Sequence, residues 1–315
     1  MAGASGGRDQ GDIFKSVTGY YQRQQVRKGG LIMYESLQQM REACEEKGSA
    51  FWELVMEEEV NEKQSTGEEV FGTMQSMYHA MVQADENYHD EKSSSGMVGG
   101  AGILMERWND QGKTLAGRFL GQVMERALKM AESNACMKRI VAAPTAGSCG
   151  ILPAVLITYH REENCPEEQI VQGLFVAAGI GGIIAQRASI AGAQGGCQAE
   201  IGSASAMAAG ALTYLRGGNL QQIYDAVALA LKGLLGLVCD PVAGLVEVPC
   251  VKRNVIGAVN AVTCSDMAMA GIQSFIPVDQ VIDAMDEIGR NMPCQYRETS
   301  EGGLAATPAG KAVSL

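Results

Sequence analysis

Three cysteines, Cys197, Cys239 and Cys250, stand where Gly and Pro interrupt an otherwise apolar stretch: GGCQAEIG, LVCDPVAG and VEVPCVKRN. Thiolates placed on such turns suit a metal-sulfur centre. Iron-sulfur clusters are held mainly by Cys thiolates, and Gly and Pro beside the ligands supply sharp turns and open backbone amides that reach the sulfurs. Cys149 and Cys264 are further thiols available to such a site. Neither CxxC pairs nor ferredoxin-type spacing occurs, which removes the commonest zinc and ferredoxin readings. Cysteine is also an ordinary small core residue, so residue type and spacing leave metal ligation and plain burial as alternatives.

Two other stretches carry chemistry. In EKSSSGMVGGAG, residues 91–102, Lys92 is followed by Ser93, Ser94 and Ser95 and then by four glycines. That composition suits a loop whose amides approach a ligand, or a surface linker. No Gly-Lys-Ser/Thr follows, and the strand-glycine-helix context of a dinucleotide site is missing. A pyridoxal phosphate lysine at Lys92 competes with the commoner surface lysine. In APTAGSCGILPAVL, Thr145, Gly147 and Ser148 precede a helix expected to start near Ile151. Unpaired amides and the positive dipole end there could hold a carboxylate or phosphate, or the turn could be structural. His79, His89 and His160 lie outside these turns, so neither a His-based metal site nor a Ser-His-Asp triad has motif support.

The elements that must position these residues read as helices. Apolar content of 46% is ample for a core, while aromatics at 5% with 39 Gly and 17 Met favour close helix packing over a strand-rich barrel or sandwich. Periodicity predicts helices over about 34–47, within 51–87, and over about 115–134, 151 onward, 167–186, 203–216, 219–236, 255–273 and 278–289. The fold class is therefore all-α: one compact multi-helix domain over 33–315, with Gly/Pro-rich turns carrying the ligands. Residues 1–32 read as an extension, either disordered or preceding an internal start at Met33, and a linker would have the same composition. A formal net charge of -11 disfavours nucleic acid and anionic membrane as partners. The most apolar run, 174–185, is too short to span a bilayer. With no apolar signal region and an odd number of cysteines, nine, a soluble protein of the reducing cytoplasm is expected.

Taken together, SSSG with GG shortly after, APTAGSCGILPAVL, GCQAEIGSASAMAAG, GLVCDPVAGLVEVPCVKRN and RETSEGGLAATPAG closely resemble the α subunit of iron-sulfur-dependent bacterial L-serine dehydratase, from about Met33 to Gly310. The resemblance implies a lyase of amino-acid degradation and gluconeogenesis that converts L-serine to pyruvate and ammonia. It implies a 4Fe-4S cluster, no pyridoxal phosphate, and Cys197, Cys239 and Cys250 as the ligand positions. Three thiolates leave one iron open, which would polarise the substrate hydroxyl while a base removes the α-proton. The same resemblance makes Lys92 the candidate base, with Ser93 and Ser95 as catalytic or carboxylate-holding hydroxyls. Ser94, Thr145, Gly147 and Ser148 are candidate substrate contacts.

Three departures qualify what is carried over. Single-chain relatives can bring a C-terminal cysteine to the cluster, whereas this sequence ends in GGLAATPAGKAVSL and its nearest thiol is Cys294. The Ser-Ser-His-Thr motif of the β region does not occur, so a β subunit carrying it is the expected partner and the enzyme a heteromer. Val98 and Ala101 stand where a Thr and an Asp are expected in the glycine loop. L-cysteine desulfidase, which shares the α-type domain, and a non-catalytic metal-binding subunit are the alternatives.

Overall fold

The computed structural model describes residues 34–313, and the expected extension over 1–32 lies outside them. Among the described residues all regular elements are helical, and the sole β contact is an isolated parallel bridge between Cys239 and Arg297. The principal helices are α1 (Leu37–Lys47), α2 (Phe51–Lys63), α3 (Gly67–Glu86), α4 (Ala101–Asp110), α5 (Gly117–Ala135) and α6 (Ile151–Glu162). They continue with α7 (Glu167–Arg187), α8 (Ser203–Leu215), α9 (Leu220–Lys232), α10 (Cys250–Met269) and α11 (Val278–Asn291). The all-α expectation holds.

The centre of the molecule is α8, SASAMAAGALTYL, in which every residue from Ser203 to Thr213 is buried. Its small side chains let α6, α7, α9 and α10 close around it. The tightness is visible at Gly257 on α10, where a methyl group would lie 2.5 Å from Ile151 Cδ1 and 3.0 Å from Ile201 Cγ2. Such spacing excludes side chains and explains the glycine-rich composition without any appeal to flexibility. The apolar run 174–185 belongs to α7. At 21 residues that helix is long and apolar enough to cross a membrane by length and composition, yet 78% of its most apolar window is packed inside the fold.

Three helix boundaries differ from the periodicity reading, each for a local reason. The span 51–87 is two helices, because Gln64 takes a left-handed φ of 52° and Thr66 starts α3 with a reciprocal Thr66–Glu69 capping box. Helix α10 begins at Cys250, five residues before the expected 255, directly after Pro249. Helix α4 was hidden by the glycines before it. Its first amides are collected by a side chain 31 residues away, Glu132 on α5, a partner that no local pattern announces.

Candidate metal centre

Each of the three cysteines sits at an element boundary that a specific set of bonds holds in place. Cys197 follows Gly195 and Gly196 and opens a π-helical turn, Gln198–Gly202, that runs into α8. Gly196 has a φ of 74°, and a methyl group there would lie 2.7 Å from Met292 Sδ and 2.9 Å from the Leu237 carbonyl, so glycine is required. Buried Gln198 staples this turn to its neighbours. Its amide nitrogen donates to the Met285 carbonyl at 2.9 Å, and its carbonyl accepts from the Gly236 amide at 2.8 Å. Cys239 lies in an extended segment paired with the C-terminal region: its amide donates to the Tyr296 carbonyl, and its carbonyl accepts from the Glu298 amide, both at 2.8 Å. Cys250 is the first residue of the 20-residue α10, where the positive end of the helix favours a thiolate. The expected Gly/Pro-rich turns are thus helix starts for two cysteines and a bridged extended segment for the third.

The thiol and carboxylate atoms of Cys197, Glu200 and Cys239 all lie within 4.8 Å of one another, a donor set able to hold a metal ion. All three cysteines are buried. The Cys239 thiol is pushed up by its hydrogen bond with Cys197 and by burial, with Glu200 and Glu298 adding to the shift. Burial, with Cys197 and Glu200 nearby, pushes Cys250 up to about 12. Without a cation, burial and the neighbouring acids favour the protonated form of both thiols. Glu200 is itself pushed up to about 7 by burial and by Glu298, against the hydrogen bond from Thr145. Burial works against the charge on Arg253, but Cys197 and Asp240 outweigh it, and its pKa is raised.

The Pro-Thr-Ala-Gly-Ser turn is brought to this cradle. Thr145 Oγ1 donates to Glu200 Oε1 at 2.6 Å and lies 3.1 Å from Ser148 Oγ, while a methyl group on Gly147 would lie 3.1 Å from Glu200 Oε1. Buried Asn254, one turn after Cys250, locks the arrangement. Its side chain donates to the Gly147 carbonyl at 2.8 Å and the Cys250 carbonyl at 3.0 Å, and accepts from the Gly150 amide at 2.8 Å.

The serine loop reaches the same region through Glu247, three residues before Cys250. Ser93 and Ser95 both donate to its buried carboxylate, at 2.7 and 2.5 Å. Lys92 and Ser94 are exposed, so this chain alone does not desolvate the lysine. Three of the loop amides already have a partner within the chain. Those of Gly99, Ala101 and Gly102 donate to Glu132, which also receives the Tyr88 hydroxyl at 2.7 Å. Cys149 and Cys264 are core thiols, directed at the Met130 carbonyl and the Asn260 side chain, and Cys294 is exposed.

Motif reading missed Glu200, Glu247, Glu298, Asp240 and Arg253. One signal existed: Glu200 is the only acidic residue between Glu168 and Asp225. The others depend on the chain's return. Asp240, buried, accepts from Arg253 at 2.8 Å and from the Leu304 amide at 2.8 Å, so the segment 294–306 is strapped across the cradle.

Residues 46–305 match the family model described as serine dehydratase alpha chain. The chain is 44% identical over 282 residues to a probable L-serine dehydratase alpha chain of Bacillus subtilis, covering 89% of this chain and 93% of that one. It is 40% identical over 283 residues to the L-serine dehydratase alpha chain of Peptoniphilus asaccharolyticus, covering 89% and 97%. Against the longer L-serine dehydratase TdcG of Escherichia coli it is 48% identical over 181 residues, 57% of this chain but 40% of that protein.

Proposed function

We propose, from the premise that this chain belongs to the serine dehydratase alpha chain family, that it is the cluster-bearing subunit of an enzyme converting L-serine to pyruvate and ammonia. The observation that carries this reading is the convergence of buried Cys197 and Cys239 with half-buried Glu200, and of Cys250 close enough to feel Cys197 and Glu200. A 4Fe-4S cluster fits the donor set. It offers three sulfurs, two of them at positions where ionisation without a cation is disfavoured, and a wall at Gly192 where a methyl group would lie 3.1 Å from Cys239 Sγ. When bound through Cys197, Cys239 and Cys250, such a cluster supplies an iron with an open position, a Lewis acid that makes the substrate hydroxyl a better leaving group.

The chain's own residues orient the substrate and move its proton. Lys92 is the proposed base for the α-proton. Its exposure here makes its desolvation, which a lysine base requires, the task of whatever closes over the loop. Ser93 and Ser95, held on Glu247, are proposed to support that step or hold the carboxylate, with Ser94 at the exposed face. Thr145, Gly147 and Ser148 border the cradle through Glu200 and are proposed substrate contacts. Loss of the proton and the hydroxyl leaves an enamine, which tautomerises and is hydrolysed to pyruvate and ammonia.

The two relatives named as alpha chains, and the longer TdcG protein, support a partner subunit that completes the site, with the Ser-Ser-His-Thr motif as its expected contribution. Nine free cysteines suit a reducing cytoplasm. The test is anaerobic purification with and without a β subunit, iron and sulfide quantification, and keto-acid assays on L-serine, L-threonine and L-cysteine. Replacing Cys197, Cys239 or Cys250 by Ser should abolish the visible absorption, while Cys44→Ser should not. A chain with zinc or no metal refutes the cluster, keto acid from cysteine alone makes it a desulfidase, and iron without turnover leaves a non-catalytic subunit.

A further inference from the structure

We infer that Glu298 is a substrate-recognition residue of the cysteine cradle, its carboxylate receiving the α-ammonium group of the amino-acid substrate. The inference rests on the deamination proposed above. Its starting point is the strap. Residues 296–298 run beside Cys239 and are tied to it by two main-chain hydrogen bonds of 2.8 Å. Ser300 Oγ donates to the Pro241 carbonyl at 2.7 Å, and the Leu304 amide is gripped by Asp240. Within this strap Glu298 has a φ of 63° and Ser300 one of 58°, the left-handed region that non-glycine residues seldom occupy.

The result is a carboxylate turned into the cradle. Around the point where a methyl group on Gly192 would sit, Glu298 Oε2 lies at 3.3 Å, Cys239 Sγ at 3.1 Å and Glu200 Oε2 at 2.8 Å. Among the described residues no cation and no side-chain donor pairs with Glu298, and it is exposed, so a solute can reach it. Glu200 is less available, because its Oε1 already accepts from Thr145. Arg253, the cation acting on Cys197, is engaged with Asp240 and the Val238 carbonyl.

The charge balance selects the group that docks there. A cluster held by three thiolates is anionic overall, so it does not neutralise two neighbouring carboxylates. An α-amino β-hydroxy acid offers a carboxylate, which this field repels, a neutral hydroxyl, and an ammonium, which it attracts. Placing the ammonium on Glu298 leaves the hydroxyl and the α-carbon to face the cysteine side of the cradle.

The experiment compares wild type and Glu298→Gln, each full chain coexpressed with its partner subunit and reconstituted anaerobically. Iron and sulfide per chain and the melting temperature should be unchanged. The KM for L-serine should rise about tenfold to a hundredfold, the loss of one charge-assisted hydrogen bond, with a smaller change in kcat. Inhibition by 3-hydroxypropanoate, which lacks the ammonium, should be unaffected. An unchanged KM, an equal weakening of 3-hydroxypropanoate, or loss of iron overturns the inference and leaves the deamination reading intact. A fully iron-loaded wild type that makes no keto acid from serine overturns the deamination reading and the inference with it.

Discussion

Gly192→Ala probes the cradle most directly, because the added methyl group enters the space between its donors. It would lie 2.8 Å from Glu200 Oε2 and 3.1 Å from Cys239 Sγ, against about 3.5 Å for an ordinary carbon contact. The difference requires the Glu200 oxygen to retreat by about 0.7 Å (3.5 − 2.8) and the sulfur by about 0.4 Å (3.5 − 3.1). Glu200 resists, being held by Thr145 at 2.6 Å, and Cys239 is fixed at both main-chain ends by the strap. Metal ligands tolerate displacements of only about 0.2 Å. Iron retention against a chelator should therefore weaken about 10- to 100-fold, the range seen when a group supporting metal ligands is disturbed. The metal-free fold should lose no more than about 1–3 kcal/mol, since the atoms displaced are side-chain ends and alanine is itself the better helix former. The assay is anaerobic reconstitution, iron and sulfide analysis, chelator competition, and thermal melts of the metal-free chain. Gly72→Ala is the control: it lies in α3 with nothing within 4 Å of an added methyl group, and should stabilise by about 0.5–1 kcal/mol without changing iron retention. Equal iron retention by Gly192→Ala and wild type would refute the claim that this point lies inside the ligand cradle.

Removing Asp240, whose side chain is 4% exposed, leaves half-buried Arg253 without its carboxylate and releases the Leu304 amide; Asp240→Ala should cost about 3 kcal/mol in denaturant titration and speed proteolysis within 294–306. Glu132→Gln puts an amide donor against four existing donors and should cost about 1.5–3 kcal/mol, with faster amide exchange at Gly99 and Ala101. Cys239 and Cys250 are held protonated without metal, so metal binding releases protons and affinity should climb as pH rises; calorimetry in buffers of different ionisation enthalpy measures this. Glu58 is pushed up to about 7 by burial and by Glu62, so its stabilising contribution is full below its unfolded value near 4.5 and lost as pH rises through 7. Glu58→Gln should therefore raise Tm at pH 8 and leave it unchanged at pH 4.5, and equal melts at both values would contradict that assignment.

Local periodicity and caps sufficed for the helical class and for most helix spans, because i, i+3, i+4 patterning and punctuation by Gly and Pro act within one turn or two of chain. The three thiols were legible as candidate ligands, and the succession of motifs pointed to the family. What lay beyond local reach were the contacts made by distant carboxylates. Helix α4 depends on Glu132, the serine loop on Glu247, and the strap on Asp240, each joined to its partner across 30 to 154 residues of sequence. The glycine loop illustrates the difference. Its composition is that of a ligand loop, yet its amides are taken by a carboxylate on α5. In the same way, Cys197, Cys239 and Cys250 are spaced 42 and 11 residues apart in sequence, and whether they are core or cradle depends on the close helix packing that brings their turns together. Ligand identity is a property of residue type, which the sequence states outright. Convergence is a property of long-range packing, and only the tertiary structure decides it.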